Sequence, residues 1–450
     1  MQTKTVTRRK FLKRAALATT AAIAAPYMRT SYSAGRLTLG CWDHWVPGAN
    51  DTLTKICNEW GEKNHVDVHI DYITSVGDKD LLTASAEAQA HTGHDIMQHR
   101  AWQIAVHREV LEPTDDVIGA LIKDHGPISE TSEYLAKYDG KWKAVPTIVG
   151  SQVKPCCSRL DLFKEHAGID LKEMFPADVS KRKPQLVESW TWDNYLIAAE
   201  KLFKAGFPVG LPMGQTSDAT DWVGALFRAY GSVFVDDKDA IKVNSPETHA
   251  ALEMAQKIMA VNPPDVYAWD DAGNNRWLIS GKGSNIMNPP SAWSVAVRDN
   301  PKVGEQCWTH DMPKGPKGRF APNLPFFYGV WNFGANKTAA KELIHHMVDK
   351  PQARRLVAAS NGYDLPSFKS YYDFDTWEKV GPPVGTVYNY PPRGDEQYSL
   401  TGYPARPDVA SQIYNQSIHT VMVAKVSQGK EKVDDVIKWA EKEVEGYLRS

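Results

Sequence analysis

The chain is expected to fold as an α/β protein of two domains, each a parallel or mixed sheet flanked by helices. Three observations predict this. Strand-type and helix-type patterns alternate from about residue 36 onward. Once the leader is set aside, about 415 residues are left, more than one ordinary core accommodates. No later stretch approaches the roughly 18 consecutive apolar residues of a membrane-spanning helix.

The first segment differs from the rest. Residues 1–34 carry Lys4, Arg8, Arg9, Lys10, Lys13 and Arg14, then an alanine-rich run from Ala15 to Ala25, then Arg29 and small residues from Ser31 to Ala34. This is the layout of a signal peptide, with an apolar run too short to anchor in a bilayer. The pair Arg8-Arg9 ahead of Lys10-Phe11-Leu12-Lys13 resembles the twin-arginine (Tat) export signal of bacteria, which implies a periplasmic protein that folds before export. An exposed basic helix is the plainer alternative. Removing residues 1–34 takes Lys+Arg from 52 to 45 against 54 Asp+Glu, a charge near −9. That argues against nucleic acid or an anionic membrane as the main partner.

In the mature chain "RLTLGCW" reads as a strand. "NDTLTKICNEWGEKN" places Leu53, Ile56, Cys57 and Trp60 at helical spacing. "VDVHIDYI" alternates as a strand, "DKDLLTASAEAQA" is a helix former, and "HDIMQ" is a short strand. This order predicts a mainly parallel sheet with helices on both faces. "YDGKWKAVP" predicts a hairpin on Asp139-Gly140. Thr191 is expected to cap one helix, and Ser245 with Pro246 another. "NKTAAKELIHHMV" is a further helix, residues 365–407 are expected to be irregular, and two helical stretches split at Gln428-Gly429 close the chain. The five cysteines, Cys41, Cys57, Cys156, Cys157 and Cys307, show no repeat spacing, and a bond between neighbouring Cys156 and Cys157 would be strained.

Motifs for enzymatic chemistry are missing: there is no phosphate-binding G-x-x-x-x-G-K-[ST], no G-x-G-x-x-G after a strand, no G-x-S-x-G, no H-E-x-x-H and no C-x-x-C. His91, His94, Asp95 and His99 form the densest set of potential metal ligands, but their positions in a turn and along a strand do not converge. His65 and His69 share a strand face yet lie about 13 Å apart by strand rise. Neither a metal nor a cofactor is expected. The aromatic residues say more. The chain has 15 Trp, several beside polar residues in loop-like segments: "WDHW", "QHRAW", "SDATDW", "NPPSAW" and "LPFFYGVW". A Trp on a helix face, such as Trp60, is core. A Trp beside Asp, His, Gln or Asn at a strand end offers a flat apolar face with polar groups to orient a ligand. A sugar ring suits such a lining, and so does an amine held over ring faces.

The order of these segments resembles the periplasmic solute-binding proteins of bacterial ABC importers, in the class that includes maltose-binding protein. "GHDIMQHRAWQIAVHREVLEPTD" is similar to that family's aspartate-marked strand and helix. "DGKWKAVPTIVGSQV" resembles its first hinge crossing, "ESWTWDNYLIAAEKL" a helix start, and "RWLISGKGSNIMNPPSAW" a segment before a pocket tryptophan. "LPFFYGVWNFGANKTAAKELI" resembles the second crossing, "SNGYDLPSF" the segment after it, and "SQGKEKVDDVIKWAEKEV" the closing helix. The chain departs from the family pattern at Cys157-Ser158 and at Asn288-Pro289-Pro290. The resemblance implies a type II two-lobed fold with the ligand between lobes of residues 36–146 plus 331–372 and 149–328 plus 378–450. It implies a monomer that captures a sugar or polyol without turnover and delivers it to a membrane permease. Expected ligand contacts are Asp43, His44, Trp45, Gln98, His99 and Trp102 from the first lobe. From the second come Gln215, Asp218, Asp221, Trp222, Asn288 and Trp293, with Phe327 and Tyr328 at the crossing and Tyr363 at the rim. The alternatives are a cationic or zwitterionic solute such as a betaine or polyamine, or an exported glycan-active enzyme.

Overall fold

The computed structural model describes residues 35–46, 48–379 and 394–449. The expected signal peptide lies outside the described residues. The strands are, in chain order, β1 Gly35–Trp42, β2 Val66–Ile73, β3 Ile96–Arg100, β4 Lys137–Tyr138, β5 Lys141–Trp142, β6 Val145–Pro146, β7 Gln152–Val153 and β8 Cys156–Arg159. They continue with β9 Asn285–Met287, β10 Cys307–His310, β11 Lys314–Gly315, β12 Gly318–Leu324, β13 Phe326–Val330 and β14 Gln397–Ser399.

The first sheet has the order β2-β1-β3-β13-β6. β1 runs parallel to both β2 and β3, as the alternation of strand and helix requires. The helix Ala49–Asn64 joins β1 to β2 and buries Leu53, Ile56, Cys57 and Trp60, the predicted face. The helix Lys79–Ala90 leads into β3. The β4–β5 hairpin turns at Asp139 and Gly140, both at positive φ (51° and 74°), which suits the twist of a two-residue hairpin. The second sheet, β10-β8-β9, is antiparallel throughout, so among the described strands the expected parallel character holds for β2-β1-β3 and for the pairing of β12 with β14.

A third sheet has the order β11-β12-β14, with β7 also paired to β12, and two crossings lie side by side between it and the first sheet. β6 pairs with β13 in the first sheet, and six residues later β7 pairs with β12. β12 and β13 are separated by Pro325, which has no N–H for a ladder and ends one strand before the next begins. Residues 326–328 therefore belong to the first sheet, where Phe327 pairs with His99 and Tyr328 with Gln98, and not to the second segment as expected. A third strand of chain runs beside them, where Leu365 N donates to Ser151 O at 2.8 Å.

The helix caps follow the sequence. Thr191 Oγ1 accepts from Asn194 N at 3.2 Å, and Ser245 Oγ from Thr248 N at 3.2 Å with Pro246 in the first turn. The chain closes with three helices, Pro407–Asn415, Ile418–Ser427 and Val433–Arg449, rather than two. The additional break falls at Ser417, whose φ of 51° is incompatible with a continuous helix. The five cysteines are buried free thiols, and burial pushes the Cys57 thiol up to about 12.

One ion-pair cluster on the first sheet gives a pH-dependent prediction. His94 Nδ1 lies 2.5 Å from Glu87 Oε1 and its Nε2 3.0 Å from Asp71 Oδ2. Burial alone would lower its pKa, but hydrogen bonds and charge from both carboxylates raise it above the usual histidine value. A histidine raised on folding contributes stability that is complete below its unfolded pKa of about 6.5 and is lost as pH rises through the folded value. His94→Gln is expected to cost about 1–3 kcal/mol in mildly acidic solution and less at alkaline pH. Urea unfolding at the two pH values checks this, and a pH-independent difference would refute it.

Candidate functional site

A narrow cleft opens between the two sheets, at the carboxyl ends of β1 and β3. In open α/β sheets, ligands bind at such strand ends. One wall is aromatic. Trp42 ends β1, and Trp45 stands edge-on to it with centroids 6.2 Å apart. Phe326 and Tyr363 complete the cluster at 5.6 and 6.2 Å from Trp42. Tyr363 donates from its hydroxyl to Gln152 Oε1 at 2.6 Å, which ties the wall to the crossing strand β7.

The opposite wall is polar and continuous. Lys154, next to β7 and 2% exposed, places Nζ 2.6 Å from both Asp218 Oδ1 and Asp221 Oδ2, on the helix Ser217–Tyr230. Burial by itself would lower the Lys154 pKa, but the two carboxylates outweigh it and hold the ammonium charged. Burial raises the Asp218 and Asp221 carboxyls, and Lys154 opposes it. Asn274 Nδ2 donates to Asp218 Oδ2 at 2.8 Å, Asn288 Nδ2 to Asn275 Oδ1 at 2.6 Å, and Asn275 Nδ2 to Ser291 Oγ at 3.1 Å. Arg100, the last residue of β3, faces this wall from the aromatic side and is held by Asp80 through Nε at 2.7 Å and Nη2 at 2.6 Å. A second cavity adjoins the first and shares Arg100, Ser217 and Leu324 with it.

Among the residues expected from the sequence, Trp45, Asp218, Asn288 and Tyr363 line the first cavity, and Trp102 and Gln215 line the second. Asp221 lies beneath, paired to Lys154. The others are held elsewhere. Asp43 is exposed and accepts from Asn50 Nδ2 at 2.7 Å. His44 is buried, with Nε2 3.1 Å from Asp364 Oδ1, which also accepts from Gly150 N at 2.8 Å. Gln98 accepts from Trp42 N at 2.8 Å and donates to Val149 O at 2.6 Å, so it braces β1 against the crossing without reaching the cavity. His99 points to the other face of β3, fully buried between His107 and Trp331, and burial pushes its pKa well below the usual value. Trp222 is core and donates to Pro212 O at 2.8 Å. Trp293 is 4% exposed in the core, while its neighbour Ser291 reaches the cavity. Phe327 and Tyr328 are buried in the first sheet.

Sequence reasoning missed Trp42, Arg100, Gln152, Lys154, Asp271 and Asn275. For Arg100 a signal existed. Alternate strand residues share a face, so the partner of Gln98 at the end of β3 is Arg100 and not His99. Lys154 and Asp271 carried no local signal, because only the packing of distant segments brings them to the cavity.

A sequence model of bacterial extracellular solute-binding proteins matches residues 55–381. The chain belongs to that family. No match is found among curated proteins. Solved structures similar to this solute-binding protein include maltose-bound MalE3 of T. maritima, at TM-score 0.72 and 18% identity over 92% of this chain and 99% of that one. An ABC transporter solute-binding protein from Thermotoga lettingae bound with α-D-tagatose aligns at TM-score 0.71 and 16% identity over 92% and 100%. Another from Agrobacterium vitis with bound D-mannitol aligns at 0.66 and 19% over 92% and 99%. This solute-binding protein thus has their two-lobed fold. Among the described residues no helix is long and apolar enough to cross a membrane.

Proposed function

We propose that this protein captures a sugar or polyol in the interlobe cleft and delivers it to an ABC permease. The observation that carries this reading is the pairing, across one small cavity, of an aromatic wall with a network of amide and carboxylate groups. A ring's C–H face stacks on Trp42, Trp45 or Tyr363, while its hydroxyls bond to Asn275, Asn288, Asp218 and Asp271. The lobes are proposed to comprise residues 36–146 with 326–372, and 149–324 with 378–449. Solute held by one wall recruits the other, so binding shifts the population toward the closed form. The relatives with maltose, tagatose and mannitol support a polyhydroxylated ligand, and the leader supports export to the periplasm by the twin-arginine route. The protein acts as a monomer that binds without turnover. A cationic solute is the second reading, favoured by the carboxylates around Asp271.

The test is thermal unfolding of the mature protein against sugars, polyols, betaines and polyamines. A true ligand at a hundred times its Kd adds about 2.7 kcal/mol, a clear rise in Tm. A rise with a sugar or polyol is the expected result. A rise with betaines or polyamines alone would replace the sugar reading.

A further inference from the structure

We infer that the cleft selects its solute by charge, disfavouring acidic sugars and preferring the amino form of a sugar to the neutral form, with Asp271 as the residue that reads the charge. This rests on the sugar reading above and narrows it.

The two cations in the cleft, Arg100 and Lys154, are already taken. Arg100 is held bidentately by Asp80 and lies 3.4 Å from Asp78 through Nη1. Lys154 is held by Asp218 and Asp221, each at 2.6 Å. Each cation thus has two carboxylates of the protein's own before any solute arrives. Asp271 is a fifth carboxylate and lines the same cavity. Among the described residues its hydrogen-bond partner is Ser217 Oγ, at a long 3.4 Å, and no cation stands within ion-pair distance of it. Five carboxylates face two cations at and just behind the walls of the cleft, a formal excess of three negative charges.

The field of Asp271 reaches both walls. After burial, its charge is among the causes that raise the carboxyls of Asp78 on one side and of Asp218 and Asp221 on the other, and it favours the charged form of Arg100. A protonated amine beside Asp271 would relieve that field at all of these groups. A carboxylate or phosphate on the solute would add to it, in a site whose cations cannot turn to it without leaving their partners. The aromatic wall acts in the same direction. The faces of Trp42, Trp45 and Tyr363 carry negative quadrupoles that attract a cation, while still accepting the C–H face of a neutral ring.

Isothermal titration of the mature protein with matched sets of neutral sugar, amino sugar and uronic acid tests this. The sets are those of glucose, galactose and mannose, in mildly acidic buffer of low salt where the amine is protonated and the uronate ionised. In any set that binds, the uronate is expected to be at least about tenfold weaker than the neutral sugar and the amine tighter. Asp271→Asn keeps the shape of the side chain and removes its charge, and is expected to bring the three forms within about threefold of one another. A uronate bound as tightly as its neutral form, or an unchanged order in Asp271→Asn, would overturn charge selection and leave the sugar reading standing. Failure of all nine sugars, with binding of a solute that is neither sugar nor polyol, would overturn both.

Discussion

Replacing Lys154 with methionine is expected to cost about 3–5 kcal/mol of stability, because it leaves two buried carboxylates without their shared cation. Lys154, Asp218 and Asp221 are 2%, 5% and 4% exposed, so water cannot replace the lost ammonium. The cost carries a pH signature. The carboxyls of Asp218 and Asp221 already stand above the usual aspartate value, through burial that Lys154 opposes, and without Lys154 they rise further. A carboxyl raised on folding penalises the fold at pH above its folded pKa, and the penalty vanishes below the unfolded value of about 4. The deficit of Lys154→Met is therefore largest at neutral pH and shrinks as the solution is acidified. Adding Asp218→Asn and Asp221→Asn to the variant is expected to restore most of the stability, since no uncompensated charge is left. Urea unfolding of the three proteins at neutral and mildly acidic pH measures this. A deficit below about 1 kcal/mol, the range of an exposed ion pair, would mean that the triad is not buried as described.

Two tryptophans that look alike in the sequence are expected to respond in opposite ways. Trp45 is partly exposed and stands in the aromatic wall. Trp45→Ala is expected to weaken binding about ten- to a hundredfold, or about 1.4–2.8 kcal/mol, with little change in the Tm of the ligand-free protein. The measurement uses the sugar or polyol that raises the Tm most. Trp293 lies in the core, on the helix Ser291–Asp299. Trp293→Ala is expected to cost about 3–5 kcal/mol of stability. Its effect on binding comes through loss of the folded site, and not through loss of a contact. Equal affinity in Trp45→Ala and the parent would remove the aromatic wall from the binding site. A Trp293→Ala protein with unchanged Tm and weakened binding would place Trp293 in the cavity instead.

Much of the fold was legible because its signals are local. The helix Ala49–Asn64 shows its buried face in the spacing of Leu53, Ile56, Cys57 and Trp60. The caps at Thr191 and Ser245 and the turn at Asp139-Gly140 depend on residues within four positions of each other. The strand-to-helix alternation implied the parallel pairing of β1 with β2 and β3, because a crossover helix returns the chain in the same direction. The break at Ser417 was missed because a left-handed serine leaves no mark in composition.

The site was less legible, and the reason is geometric. Polar and aromatic residues at the ends of β1 and β3 marked the right region, but which of them turn to the cavity depends on strand parity and on neighbours far along the chain. Gln98 is spent on Trp42 and Val149, His44 on Asp364, and His99 on the opposite face, whereas Arg100 reaches the cleft. Lys154 meets Asp218 and Asp221 more than sixty residues away, and no pattern in its own segment announces that pairing. The sequence by itself determined that this is a two-lobed α/β chain with aromatic strand ends, because periodicity, capping and composition act over a few residues. Only the tertiary structure decided which side chains are free to meet a solute. That depends on which hydrogen-bonding and charged groups are already satisfied by partners from distant segments, and the folded chain alone brings those partners within a few ångströms.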